Sequence, residues 1–499
     1  MRTGLMSVAG VVGAAVIAWS CAGILPHDDC LDYGTCTGLA PEGGPGGEAG
    51  RGGDGGVVIP ATCDLTKSPK DSPSCVDDGV GIFVSPSGKG GATGKKADPL
   101  RSIAEAVAKA AADGKPRVYV CEGSYDAPFT IAQPVNIYGG FSCTWIANGA
   151  KPKLAPPKGI ALTIRGVKGV VIEDVAVEGA SDAAKSGDSA IAAFIADSDV
   201  TLRRVAVTAK DAQAAQPVGS TGNNWSGTAI AGNDPAGTTG GVEATCGKCA
   251  DATFSKSGKG ADATGPNQGV AAPGGAQPAV GTDNSGLSGG GSCTSGTVGA
   301  GGAAPKTGGK GATTPGTLTS QGWITTGGST DGLAGKPGQG GGGGGARLAS
   351  VGGGSGGCGG CGGGGGGPSQ NGGSSFALLA PNSTVTIEAS SLTAGAGGPG
   401  GAGGAGQDGQ SGAAATAVTC NGGPGAAGGG GAGAGGGAGG HSAAVGFVGV
   451  EPRLDATSTV FSATKAAGGG GGAPGLGTGE GGTKGTSGAE GKTSASVAL

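Results

Sequence analysis

The chain has 499 residues, enough by length for two or three domains, but 123 of them are glycine and only 3% are aromatic. Glycine adds no apolar side chain and loses the most backbone entropy on folding, so much of the chain is excluded from a side-chain core. A formal net charge of −4, with no Lys/Arg cluster, no aromatic ladder and only scattered acidic residues, argues against a nucleic-acid-binding face and against a cation sponge.

Residues 1–21 read as a targeting segment. Arg2 supplies positive charge, and an apolar stretch from Leu5 to Trp19 follows that is short for a membrane span. Ser20 then precedes Cys21, a small residue before the first cysteine that resembles the lipobox of bacterial lipoproteins. The resemblance implies acylation of Cys21, attachment to a membrane only through that lipid, and, with Ala22 next, an outer-membrane address. The other reading is an ordinary signal peptide cleaved near Ala22. Of thirteen cysteines, twelve remain after Cys21, an even number that suits disulfides in an oxidising compartment.

Residues 22–78 are rich in Gly, Pro and Asp without periodicity and read as a tether, with Cys30, Cys36, Cys63 and Cys75 available for local loops. The segment 79–209 is expected to hold an N-terminal cap and the first β-helix coils. Strands are expected at Ile82–Val84, Arg117–Cys121, Phe129–Ile131 and Val135–Phe141. Between the first two, Asp98 suits an N-cap, Pro99 the first helical position and Gly114 the stop. Leu100, Ile103, Val107 and Ala111 fall on one helical face. The run from Ala97-Asp98-Pro99-Leu100 through Ala111, with Val118-Tyr119-Val120, Gly123-Ser124-Tyr125 and Ile137-Tyr138-Gly139-Gly140-Phe141, resembles the opening of secreted pectate-lyase-like β-helix proteins. The resemblance covers about residues 80 to 210. It implies a helix over the open end of the first coil.

An internal repeat follows. Val170 to Val177 aligns with Val200 to Val207 at a spacing of 30, and each copy is preceded by an apolar run, Ile160–Ile164 and Ala190–Ile195. Two strands per unit describe one coil of a solenoid, which buries its apolar side only by stacking on its neighbours. The unit returns at 374–394 and 441–465, and its first strand alone at 494–499. The expected fold class is therefore all-β: a single-stranded right-handed parallel β-helix with an N-terminal capping helix and long Gly-rich inserts.

The inserts occupy 210–373, 395–440 and 466–493, and their composition resembles that of PGRS-type glycine-rich surface proteins. Gly397, Gly400, Gly403, Gly406, Gly409 and Gly412 recur every third residue. That period fits a polyproline-II-like helix, and a flexible loop is the alternative. Each insert starts just after the same register position of a unit, which predicts that all leave from one corner. It also predicts that the coil at 200–209 stacks directly on that at 374–394, with Val200, Leu202 and Val205 near Val385, Ile387 and Leu392.

Motifs for chemistry are sparse. His27 and His441 lie in no strand-turn context that would build a nucleophile–base pair. Cys246-Gly-Lys-Cys249 and Cys358-Gly-Gly-Cys361 are too far apart for a zinc ribbon and lack a βαβ setting, so each is expected to close locally or to pair with an insert cysteine. Cys121 is expected to pair with Cys143, because both flank adjacent early strands. Residues 403–411 nearly match the calcium nonapeptide of RTX proteins but occur once, with Gln410 where a large apolar residue belongs. Glu173, Asp174, Asp197 and Asp199 are candidate carboxylates for glycoside chemistry. Glu173 aligns with Arg203 and Asp174 with Arg204, which fits cross-coil ion pairs. No catalytic, metal or cofactor residue is assigned. The expected function is a non-catalytic cell-envelope surface protein, structural or adhesive, touching an envelope or matrix polysaccharide or protein. A polysaccharide-active β-helix enzyme, lyase or glycoside hydrolase, is the alternative.

Overall fold

The computed structural model describes residues 59–217, 224–264, 293–326, 328–415, 419–465, 467 and 481–499. The targeting segment, Cys21, Cys30, Cys36 and His27 lie outside these. The described chain is nearly all-β, with one α-helix and three stacked sheets that are parallel throughout, compatible with a parallel β-helix.

The first sheet stacks Gly81–Lys89, Arg117–Cys121, Asn136–Phe141, Val170–Glu173, Asp199–Arg203, Thr384–Glu388 and Arg453–Leu454. The second stacks Phe129–Ile131, Leu162–Arg165, Ala190–Ala196, Ser375–Pro381, Ser442–Val448 and Thr493–Ala498. The third stacks Ser124–Tyr125, Lys153–Leu154, Ala176–Gly179, Ala206–Ala209, Ser391–Ala394 and Thr459–Ser462. Each repeat thus gives three strands, not the two read from the sequence. The run Val170 to Val177 is broken at Asp174, whose φ of 53° turns the chain from the first sheet to the third. Arg204 (51°) and Ala389 (47°) turn the next repeats at the equivalent place.

Like side chains stack on like. Val118, Ile137, Ile172, Leu202 and Ile387 form one ladder of register partners, each at most 1% exposed. Leu154, Val177, Val207 and Leu392 form another. Burying such a side chain contributes about 1.5–3 kcal/mol, and here each is covered by the repeats above and below it. The insert of 210–373 does not interrupt these ladders. Val200 pairs with Val385 and Leu202 with Ile387, as the repeat requires. Leu392 lies beside Val207 rather than Val205, whose N–H instead donates to Ser390 Oγ.

The helix runs from Ile103 to Ala112 with Ser102 as its N-cap, four residues later than Asp98 suggests. Leu100 bridges to Val84 and Lys89, and the Asp98 carboxylate accepts from Thr93 N–H and Oγ–H, so neither residue is free to start a helix. Ser102 Oγ accepts the Glu105 N–H, and Gly114 at φ 66° follows the last turn. Ile103, Ala106, Val107 and Ala110 are buried in the same core as the first strands.

Residues 59–78, expected as the end of a tether, pack on the outer side of the first sheet. Arg117 Nη2 donates to the carbonyls of Leu65 and Lys67, Tyr119 Oη to that of Cys75, and Cys63 is joined to Cys75.

The described parts of the inserts form a hydrogen-bonded bundle of extended segments. The N–H groups of residues 398, 401, 404, 407, 410 and 413 donate to the carbonyls of residues 373, 370, 367, 364, 361 and 358. Those of residues 425, 428, 431, 434, 437 and 440 donate back to residues 413, 410, 407, 404, 401 and 398. The step of three is the repeat of a polyproline-II helix, whose polar groups have no internal partners and must find them next door. Close approach explains the glycines. A Cβ on Gly363 would lie 1.9 Å from the Gln407 carbonyl oxygen, and one on Gly362 would lie 2.0 Å from that of Gly335. Segments with neighbours all round, such as 359–367, therefore carry glycine at nearly every position. The segment 482–491, at the edge, keeps glycine only at 482, 485, 488 and 491, with Thr, Lys, Ser and Glu among the residues between.

The inserts leave from the same ends of third-sheet strands, where Thr208 pairs with Thr393 and Ala394 with Ser462. They lie side by side, since residues 357–372 also donate to 423–438 and residues 433–442 to 483–492. One hairpin, Thr317–Thr319 with Gly322–Ile324, returns from the first insert to the outer face of the second sheet. There Leu318 is buried with Ile191, Phe194, Phe376 and Leu379, and Arg165 donates to the carbonyls of Ser320 and Gln321.

Candidate functional site

The densest set of charges among the described residues sits where the first sheet turns toward the third. Glu173 ends one strand and Arg203 the next, and Glu388 follows in register, giving a column of alternating sign. Arg203 Nη1 lies 3.3 Å from Glu173 Oε2, and its Nε lies 2.7 Å from Glu388 Oε2. Arg204, held at the turn, forks onto Asp174 through Nε (2.9 Å) and Nη2 (2.7 Å) and also reaches Glu173 Oε1. Ser68 Oγ donates to that same oxygen. Glu173 is only 2% exposed, so its charge is removed from water and met by two guanidinium groups and a hydroxyl. The hydrogen bond to Asp174 raises the Arg204 pKa further, and that to Glu388 raises Arg203.

A cleft of about 480 Å³ lies beside this cluster, lined by Lys70, Tyr138, Phe141, Asn148, Asp174 and Arg204 among others. The sequence had offered Glu173, Asp174, Asp197 and Asp199 as carboxylates for glycoside chemistry. The structure does not bring the four together. Asp197 sits at a turn with φ 52° and accepts from Ser320 Oγ and Asn382 Nδ2. Asp199 begins its strand and is exposed. The expected pairing of Glu173 with Arg203 and of Asp174 with Arg204 is present, joined by Ser68 and Glu388, which sequence reasoning missed. Glu388 was findable from the repeat, since it is Arg203's register partner in the following copy. Ser68 had no such signal.

All ten described cysteines are in disulfides. Cys121 pairs with Cys143 across the first strands (Cα–Cα 4.9 Å). Cys246 pairs with Cys358 and Cys249 with Cys361, at Cα separations of 5.6 and 5.8 Å. Cys293 pairs with Cys420, joining the first insert to the second. Within each C-x-x-C the two cysteines are three residues apart, one turn of a polyproline-II helix. Both sulfurs of a motif therefore project the same way and pair rung by rung with the facing motif. With all four sulfurs so engaged, the zinc-ribbon reading has no ligands left.

His441 stands where the bundle segment 423–440 passes into Ser442–Val448. Its Nδ1 accepts the Lys492 N–H at 2.9 Å, and its N–H donates to Ser374 Oγ at 3.0 Å. The ring lies near Phe376 and Trp323. Burial, reinforced by the charge of Lys492, lowers its pKa to about 4, so it is a neutral acceptor at pH 7. The RTX-like stretch 403–411 is a bundle segment. Gln407 Oε1 accepts from the N–H groups of Asn224 and Gly364, and Gln410 Oε1 accepts from that of Cys361.

No protein-family model matches the chain, and no curated protein or solved structure matches it. Among the described residues no helix is long and apolar enough to cross a membrane.

Proposed function

We propose that the chain is a non-catalytic cell-envelope surface protein. In this reading it is exported, acylated at Cys21, and built on a single-stranded right-handed parallel β-helix whose open first coil is covered by the helix Ile103–Ala112. The pectate-lyase-like and PGRS-type resemblances describe its two halves, and the inserts form a rigid slab on one corner of the solenoid. Its partner is an envelope or matrix polysaccharide or protein.

The observation that carries the reading is the disulfide set. Five disulfides join all ten described cysteines, including those inside the glycine-rich inserts, which is the usage of an oxidising, extracytoplasmic compartment. Fractionation tests it. Wild-type protein should sediment with membranes and incorporate labelled fatty acid, and Cys21→Ser should release it. Recovery of the wild type wholly in the cytosol with reduced thiols would end the proposal.

The cleft beside Asp174 and Arg204 motivates the second reading, a polysaccharide-active enzyme. Glu173 and Asp174 already accept from Arg203, Arg204 and Ser68, so neither is placed as a free acid, base or nucleophile. Release of reducing ends or unsaturated product from acidic or neutral polysaccharides, abolished by Asp174→Ala, would favour the enzyme.

A further inference from the structure

We propose that a second cleft, built jointly by the sheets and the first insert, binds a pyranose ring of a neutral polysaccharide. The inference rests on the surface-protein reading and names the chemistry of its partner. The cleft is about 410 Å³ and lies between the turn at Lys158–Ile160, the segment Asp182–Ile191, the hairpin residue Trp323 and Thr325 just after the hairpin. That volume is near the lower end of small-molecule sites, about 300–1,000 Å³, which suits a short stretch of sugar rather than a long chain.

Its walls supply what a polyhydroxylated ring needs. Trp323 offers an aromatic face beside Ile160 and Ile191. The indole is held in place, since it packs edge-on against Phe376 at 5.1 Å and its hairpin is anchored by buried Leu318. It is nevertheless only half-buried, so part of the ring remains for a ligand. The same lining carries two ammonium groups and two carboxylates, those of Lys158, Lys185, Asp182 and Asp188. Lys158 Nζ lies 2.9 Å from Asp182 Oδ2, the Asp182 N–H donates to Asp188 Oδ2 at 2.6 Å, and Lys185 forms no ion pair among the described residues. Sugar hydroxyls both donate and accept, so they can meet carboxylate and ammonium together. The equal numbers of the two signs give no net field to select a charged ligand, which separates a neutral glycan from a uronate chain or an acidic peptide.

The insert explains why the site is assembled this way. Trp323 comes from the hairpin of a glycine-rich segment, while Lys158 and Asp182 come from turns between sheet strands. Docking of the hairpin therefore creates the cleft, and a chain without it would keep only the charged half.

The test uses the full-length protein, titrated by tryptophan fluorescence and calorimetry with cellohexaose, maltohexaose and a polygalacturonate hexamer. At least one neutral hexaose should bind saturably and at least about tenfold more tightly than the acidic one, and Trp323→Ala should weaken it by about tenfold or more. Because Trp323→Ala also touches the hairpin, a second variant, Lys158→Met with Asp182→Asn, alters the charged part of the lining, where Lys158 is exposed and the near-isosteric Asn keeps an oxygen at 182 to accept the Ala184 N–H. It should weaken binding similarly while leaving the circular dichroism unchanged. Binding of neither neutral hexaose, equal or tighter binding of the acidic one, or binding that survives both variants would overturn the proposal. Reducing ends are measured in the same mixtures. Cleavage would sink the non-catalytic reading, while loss of binding in both variants would still uphold the cleft.

Discussion

Replacing Gly363 with alanine puts the bundle's packing under direct strain. The added Cβ would stand 1.9 Å from the Gln407 carbonyl oxygen, and an ordinary contact begins at 3.4 Å, so the two segments must part by about 1.5 Å. That oxygen is already the acceptor for Gly431 N–H, and on either side Gly363 N–H donates to Gly429 and Gln407 N–H to Gly364. Each bond weakened costs about 0.5–1.5 kcal/mol, and overpacking against rigid backbone costs about 1–3 kcal/mol. Against this stands a gain of about 0.4–1 kcal/mol from the stiffer unfolded chain. The net is a loss of roughly 3 kcal/mol, felt by the bundle more than by the sheets. Gly247→Ala is the control. No atom lies within 4 Å of its would-be Cβ, so it should be neutral or slightly stabilising. Guanidinium denaturation followed by limited proteolysis reads both variants, with cleavage in 357–440 reporting the bundle. Equal stability of the two variants would refute the packing argument.

Other consequences can be checked separately. Changing Cys249 and Cys361 together to serine should lower the bundle's stability by about 2–4 kcal/mol while leaving exchange protection of the sheet strands intact, as measured by proteolysis and hydrogen exchange. Deleting residues 213–373 should leave a folded stack of native-like strand content, because Val200 already abuts Val385. It should also bind a hydrophobic dye, because the hairpin that covers Phe194, Phe376 and Leu379 goes with it. Burial holds the His441 pKa at about 4 in the fold, below the ordinary imidazole value of 6.5, so the fold prefers the neutral ring. Its contribution is complete above pH 6.5 and is lost as pH falls toward 4, by roughly 3 kcal/mol at most. His441→Gln should flatten that slope in denaturation curves taken across the window, and an unchanged slope would remove His441 as its source.

Much of the scaffold was readable because repetition is visible without side-chain detail. The spacing of 30 between Glu173 and Arg203, and the return of the unit after 160-odd residues of insert, gave the stacking and the ion pairs. The third strand of each repeat was not visible. The turn that creates it rests on a single residue of positive φ, and Asp174, Arg204 and Ala389 share no residue type that announces it. Asp98-Pro99 looked like a helix start only because the pairing of Leu100 with Val84 and Lys89 is a tertiary fact. The hairpin at 317–324 was hidden in low-complexity sequence, and its value lies in Leu318 and Trp323, which no periodicity marks. Glycine content pointed in two directions. A glycine every third residue signalled a polyproline-II helix at 397–412, but the near-pure glycine of 359–367 has the composition of a flexible linker. In the bundle that purity reflects the number of neighbours, since each face that meets another backbone excludes a Cβ.

Residue-resolved amide exchange over 397–413 tests the ordered bundle most directly. If these residues form a polyproline-II-type helix bonded to 358–373, the N–H groups of Gly401, Gly404, Gln407 and Gln410 should exchange slowly. Those of the exposed Ala402 and Ala405 between them should exchange fast, giving protection with a period of three. Uniformly fast exchange along the segment would contradict the account.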